Sequence, residues 1–213
     1  MDSKQVILNY EVPDTIRIEK VIAFIRRHFK EIKNLDILEC GITRGGVADI
    51  LSREGANCFG IDISPRKLDG IKIIEKDLND GFPEFKSKFD IIFAGELIEH
   101  MFDDIEFIKR CRENLKSGGL LIITTPNLMF TVNRFLMLLG NMPLFSVGRG
   151  HYNVYNKKTI ENLIKREGFE ILKTSSTHVL ASTRRNKFYK IFEVLGDFFP
   201  SFGAQLIIFA KKV

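Results

Sequence analysis

Cysteine is scarce in this chain. The three present, Cys40, Cys58 and Cys111, are odd in number and lack the paired spacing of a metal site. This excludes a disulfide framework and a zinc ribbon, and the residues read as reduced core thiols of a cytoplasmic protein. A long apolar run is missing too. The opening residues, MDSKQVILNYEVPD, have no apolar h-region and read as no signal peptide. The most apolar tract, Leu128–Val147, is broken by Asn133, Arg134, Gly140, Asn141 and Pro143 and fails as a membrane span. There is no internal repeat, low-complexity segment or linker. Positive charge predominates only mildly, at +5 with pI ≈ 9.1, and no basic stripe with interleaved aromatics appears, so no nucleic-acid partner is expected. What remains is 213 residues, 45% hydrophobic and 28% charged, which fits one soluble globular domain over 1–213.

The most informative pattern is residues 36–64, DILECGITRGGVADILSREGANCFGIDIS. Ile37-Leu38 opens an apolar strand that halts at Glu39. Gly41, Gly45 and Gly46 then let the chain turn sharply and approach a ligand closely. Val47, Ala48, Ile50 and Leu51 supply the apolar face of a helix, and Gly55 sits where a C-cap is expected. A second strand, Cys58–Ile61, ends on Asp62. Open parallel sheets bind ligands at the carboxyl ends of their strands, where an acid can accept both ribose hydroxyls. The pattern therefore points to a nucleoside-bearing ligand. NAD-binding domains share the outline, and a plain connecting turn is the simpler alternative.

Three further stretches follow in order: IIEKDL at 73–78, FDIIFAGELIEH at 89–100 and LKSGGLLIITTPN at 115–127. Together with the first, they resemble the class I S-adenosylmethionine-dependent methyltransferases. Within that superfamily the FD…ELIEH run is similar to the ubiquinone-type O-methyltransferases. Thr125-Pro126-Asn127, Asn133-Arg134-Phe135 and Gly140–Pro143 are similar to the MetW-like proteins. The resemblance implies S-adenosylmethionine as cofactor, S-adenosylhomocysteine as product, and cofactor contacts at Glu39, Gly41, Thr43, Gly45, Asp62, Ile63, Asp77, Leu78, Gly95 and Glu96. Asp62 would take the ribose hydroxyls, Asp77 with Leu78 the adenine edge, and the Gly95-Glu96 backbone would line the ligand.

The chain departs from the family pattern twice. Thr43 stands at the usual middle glycine, with Arg44 beside it. These side chains either crowd the methionine moiety, bind its carboxylate, or reflect drift in a tolerant loop. The crossover from Asp62 to Ile71 is too short for a full helix, leaving Ser64–Leu68 about one helical turn.

Helical periods are predicted over Ile16–Ile32, Gly46–Glu54, Asp104–Leu115, Thr131–Leu139 and Lys157–Glu167, with an apolar and basic helix at Arg184–Phe199. Strands are predicted at Ile37–Glu39, Asn57–Ile61, Lys72–Glu75, Phe89–Phe93, Leu120–Thr124, Glu170–Val179 and Gln205–Lys211. Alternation of the two implies an α/β, doubly wound, mostly parallel sheet with helices on both faces. The resemblance makes this Rossmann-like, with an antiparallel final strand, an N-terminal helical cap (1–34), and lid or acceptor-side segments (128–156 and 180–204). Phe130, Phe135, Met137, Met142 and Phe145 form either an apolar acceptor pocket or a mini-core. Arg184–Phe199, with Phe188, Ile191, Phe192 and Leu195 on one side and Arg184, Arg185, Lys187 and Lys190 at its start, either meets lipid peripherally or packs on the sheet.

Methyl transfer from a sulfonium requires in-line alignment and exclusion of water, and a hydroxyl acceptor must also lose its proton to a base or a metal. Glu96, Glu99, His100, Asn127 and His151 fall beyond the fourth and fifth strands, and His100 and His151 are the expected bases. The ELIEH run with a distant His151 also resembles the E-x-x-E-H pattern of small-RNA 3′-end ribose methyltransferases, where a divalent ion is held. The same run occurs in metal-free relatives, so whether a metal binds is left open. His28 and His178 read as structural. The expected function is methylation of a small, partly apolar acceptor, at a hydroxyl oxygen. The alternatives are a MetW-like cofactor-binding regulator, a metal-dependent ribose methyltransferase and, less favoured, an NAD-linked enzyme. Oligomeric state is not readable.

Overall fold

A computed structural model describes residues 12–42, 46–65, 67–144, 150–180 and 189–213. The expectations placed on Thr43, Arg44, Gly45, Phe145, Arg184, Arg185, Lys187 and Phe188 lie outside the described residues. In chain order the elements are α1 (Val12–His28), β1 (Asp36–Cys40), α2 (Val47–Ser52), β2 (Asn57–Asp62), β3 (Lys72–Glu75), β4 (Phe89–Gly95), α3 (Asp104–Asn114), β5 (Leu115–Pro126), α4 (Thr131–Leu138), α5 (Lys157–Arg166), β6 (Phe169–Ser176), α6 (Tyr189–Phe198) and β7 (Gln205–Lys212). Single 3-10 turns lie at Leu78–Asp80, Ile98–His100 and Pro200–Phe202.

The sheet runs β3-β2-β1-β4-β5-β7-β6. Its first five strands are parallel, and β7 enters antiparallel between β5 and β6. Both faces are covered, so the inner strands read as continuous apolar runs. Successive side chains then sort to opposite faces. Leu38, Ile92, Leu121 and Ile208 pack under α3 and α5, through Phe107, Ile108, Ile160 and Ile164. Ile37, Ile91, Ile122 and Phe209 pack under α1 and α2, through Ile18, Val21, Ile22, Ile25 and Leu51. Two helices start on their own side chains: Asp103 accepts from Glu106 N at 2.8 Å, and Asn156 and Thr159 form a capping box on α5. All three cysteines are free and buried.

Several boundaries differ from the sequence reading. The first helix is shifted toward the amino end. β5 begins at Leu115 because that residue pairs with Phe89 across an irregular stretch. β6 stops at Ser176, so His178 lies beyond the strand. Among the described residues of the β2–β3 crossover there is no helical turn: Asp62 Oδ1 accepts from Ser64 N at 2.8 Å and folds the chain back directly. No helix among the described residues is long and apolar enough to cross a membrane.

Candidate active site

The carboxyl ends of β1, β2 and β4 meet at one edge of the sheet, where most of the anticipated cofactor residues gather. Gly41 has φ +79, a conformation that side-chain-bearing residues rarely adopt, and donates to Ile61 O at 2.8 Å. Glu39, expected to end the strand, lies within β1. Its Oε2 accepts from Ala48 N at 2.6 Å, which ties the strand to the start of α2. Burial pushes this carboxyl up to about 8, against the opposing pull of the Ala48 N–H and the Arg17 charge. Asp62 is buried, while its neighbour Ile63 stands 65% exposed. Asp77 Oδ1 accepts from Asn79 N at 2.8 Å and caps the 3-10 turn that buries Leu78. At Gly95 a Cβ would come within 2.7 Å of the Phe93 ring, so only glycine allows the strand to end there.

Glu96 follows with φ +51, a costly conformation for a glutamate, and three elements hold it there. Its backbone N–H donates to Thr124 O at 2.9 Å. Its carboxylate takes Thr124 Oγ1 at 3.0 Å and Gln205 Nε2 at 3.0 Å, and pairs with Arg17 Nη1 at 3.3 Å. Arg17 and Gln205 were not singled out from sequence. Arg17 had a signal: it lies one helical turn before Val21 on the buried stripe of α1, where a guanidinium needs a reason to be. Gln205 had none, because its partner is 109 positions away.

The second cluster is Glu99, His100 and His151, whose candidate ligand atoms all lie within 4.8 Å of one another. The two imidazole rings meet edge to face with centroids 4.8 Å apart. The expected fourth member, Glu96, is not in the cluster. Ile98–His100 is a 3-10 turn, and Glu96 lies before it with positive φ, so the anticipated shared helical face does not form. The loop carrying His151 is fastened by Tyr152 N and Asn153 N, which donate to Glu99 O at 2.8 and 3.2 Å. Glu99 itself is buried, accepts from Thr125 Oγ1 at 3.0 Å, and is pushed up to about 8 by burial first and by the Glu96 charge second. His100 Nδ1 lies 2.9 Å from Gly150 O. A carbonyl only accepts, so in the neutral ring Nδ1 carries the proton and Nε2 keeps a lone pair.

A narrow cleft of about 10 Å³, room for about one water molecule, opens beside this cluster, lined by Glu99, Thr125, Leu128, Leu144, His151 and Tyr155 among others. Among the described residues of the apolar 128–147 tract, Leu128 and Leu144 face it. Phe130 is buried, but Phe135, Met137 and Met142 are exposed, so they form neither a mini-core nor a closed pocket. Asn127 is structural: its Nδ2 donates to Ser201 O and Gly203 O at 3.0 and 2.7 Å. His178 is buried, edge-on to Phe130, and burial lowers its pKa. His28 stacks on Phe24.

The Methyltransferase domain family model matches residues 14–174. The chain belongs to this family, and its sheet is the Rossmann-like fold of the class I S-adenosylmethionine-dependent methyltransferases. It is 34% identical over 112 residues to a ubiquinone biosynthesis O-methyltransferase of Pelagibacter ubique, covering 48% of this chain and 47% of that protein. It is 30% identical over 123 residues to the like-named protein of Rickettsia canadensis, covering 54% and 52%. The chain spans about half the length of the curated relatives it matches. In structure it is similar to a magnesium protoporphyrin IX methyltransferase from Synechocystis solved with bound SAH, at TM-score 0.64 and 17% identity, covering 92% of this chain and 82% of that one. It is also similar to an S-adenosylmethionine-dependent methyltransferase of Mesorhizobium loti, at TM-score 0.61 and 15% identity, covering 89% and 96%. The structural likenesses concern the fold.

Proposed function

We propose that this chain binds S-adenosylmethionine and transfers its methyl group to a hydroxyl oxygen of a small, partly apolar acceptor, leaving S-adenosylhomocysteine. The observation that carries the reading is the convergence of Glu99, His100 and His151 beside an apolar-walled cleft, at the end of the sheet where Gly41, Asp62 and Gly95 lie. Asp62 accepts the ribose hydroxyls, Ile63 offers an exposed apolar surface to the base, and Asp77 with Leu78 meets the adenine edge. Glu39, Gly41 and the Gly95-Glu96 backbone form the floor under the methionine portion.

Transfer from the sulfonium needs the acceptor oxygen in line with methyl and sulfur, and the oxygen must lose its proton as the new bond forms. Burial and the Glu96 charge disfavour the ionised form of Glu99, and its carboxyl is already engaged by Thr125 Oγ1. The imidazoles take the role of base: His100 through its unprotonated Nε2, with His151 in ring contact beside it. The relatives named ubiquinone biosynthesis O-methyltransferases support an oxygen acceptor with an apolar part.

The same convergence favours a second reading, in which Glu99, His100 and His151 hold a divalent cation. One carboxylate and two imidazoles suit Zn²⁺ or another transition-metal ion in donor type. Such an ion would supply Lewis-acid activation of the acceptor hydroxyl. The test is calorimetric titration with S-adenosylmethionine, followed by measurement of S-adenosylhomocysteine formed from that cofactor with alkyl-substituted catechols as methyl acceptors. No binding at millimolar cofactor defeats the methyltransferase reading. Turnover that persists after exhaustive chelation defeats the metal reading and leaves the histidines as bases.

A further inference from the structure

Helix α6 is mounted with its apolar ridge outward. Ile191, Val194 and Phe198 are exposed, Phe198 at 74%, and Phe199 follows them. Its acids point the other way. Asp197 pairs with Lys20 at 3.2 Å and is hydrogen-bonded by Ser175, while the Lys20 ammonium also donates to Glu193 O at 2.8 Å and Ser176 O at 2.7 Å. Ser176 Oγ donates to Gly196 O at 2.9 Å, closing a polar clamp along the inner side. Phe192 and Leu195 are half-buried, so the helix is seated by apolar as well as polar contacts. The outward ridge of Ile191, Val194 and Phe198 is a further apolar face that the fold leaves uncovered.

A second apolar surface adjoins it. Leu138 is 81% and Leu139 75% exposed at the end of α4, with Phe135 and Met142 also outward. The two surfaces are joined through the Pro200–Phe202 turn: Arg134 donates to Ser201 O at 3.2 Å and lies 4.3 Å over the Phe202 ring, and Thr131 donates to Phe202 O. Isolated exposed apolar residues need no explanation, but clustered ones on two connected helices do.

The charge of this half of the chain identifies what covers it. Residues 1–113 carry 18 Lys and Arg against 22 Asp and Glu, whereas residues 114–213 carry 14 against five. Between Glu113 and Glu161, and again between Glu170 and Glu193, there is no acid at all. An apolar ridge in a cationic half with long acid-free stretches matches a surface that is anionic at its face and apolar beneath, which is a bilayer of anionic phospholipid. A second copy would bring the same positive charge against itself.

We propose that α6 and the end of α4 dock this protein onto anionic lipid bilayers, with Phe198, Phe199, Leu138 and Leu139 entering the interface. The inference does not depend on methyl transfer, and its test reads lipid contact alone. The chain has no tryptophan, so Phe198→Trp in the full-length protein places a single reporter in the ridge. Its emission should shift to the blue with vesicles of phosphatidylglycerol in phosphatidylcholine, and the shift should shrink as salt is raised. Co-sedimentation of the unmodified chain with the same vesicles should fall about tenfold or more in Leu138→Asp/Phe198→Asp. No blue shift with anionic vesicles overturns the proposal. So does sedimentation unchanged by the paired aspartates. A lipid-free dimer by light scattering that those aspartates dissolve also overturns it, because a second copy would then be the occupant.

Discussion

Two ends of this molecule handle polarity in opposite ways. Where β1, β2 and β4 end, polar side chains are drawn inward and each is fixed: Glu39 on Ala48 N, Asp62 on Ser64 N, Glu96 on Arg17, Thr124 and Gln205. On the outer faces of α4 and α6, apolar side chains are turned outward, and Asp197 of α6 is held beneath. The first arrangement preorganises groups for a small polar ligand. The second leaves a surface whose stabilisation must come from a partner. Residues Glu96 and Glu99 repeat the contrast at short range: three positions apart, one is locked in a structural network and the other faces a cleft with two imidazoles.

The sharpest test of the contrast is at the cleft. His100→Ala or His151→Ala should reduce turnover by about 10²–10⁴-fold with cofactor affinity nearly unchanged, as expected for loss of a general base. If binding and turnover fall together, these rings position the cofactor instead. Next in size, Asp62→Ala should cost about 1.5–3 kcal/mol of cofactor binding, read by calorimetry on a variant that keeps its melting temperature. An unaltered dissociation constant would put the ribose elsewhere. Arg17→Met should cost about 1–3 kcal/mol of stability, because it removes the cation paired with the half-buried Glu96 carboxylate and leaves it only Thr124 and Gln205. Glu96→Gln in the same background should recover part of that loss.

Glu39 gives a pH signature of smaller size. Its folded pKa, about 8, lies above its ordinary value, so the unfolded chain releases the proton first as pH rises. The stabilisation is complete below about pH 4.5 and is lost as pH climbs through about 8. Glu39→Gln should therefore flatten the dependence of melting temperature on pH between 5 and 9. A dependence as steep as in the parent chain would assign it to Glu99. The smallest effect belongs to the outer surface. Phe198→Ser should change stability by no more than about 0.5 kcal/mol in the absence of lipid, since the ring is exposed.

Much of the inward-facing region was legible in the sequence, because it is built from local patterns. The glycines at 41 and 95, the acids at 62 and 77, and the apolar runs of β1, β2, β4 and β5 each report on their own few neighbours. The order of elements and the antiparallel β7 followed from the family resemblance and match the sheet. What escaped notice depends on distance or on angle. Gln205 reaches Glu96 only because β7 lies beside β5. The fourfold acid–imidazole cluster failed at a single backbone angle, the positive φ of Glu96. Periodicity located α6 but could not say which side faced the sheet. Of the expected stripe, Phe192 and Leu195 are half-buried and Ile191 is exposed, while Val194 and Phe198 extend a second, outward ridge and Lys20 and Lys173 hold Asp197.

The placement of β7 has a consequence in time. β6 touches the rest of the sheet only through β7, which lies between it and β5. A chain emerging from the ribosome can pair β1 to β5 as they appear, but β6 must wait, unpaired on both edges, until Gln205–Lys212 has been made. The last strand made must therefore insert into a gap between two earlier ones. Until it happens, the edge of β5 is open to strands of other chains.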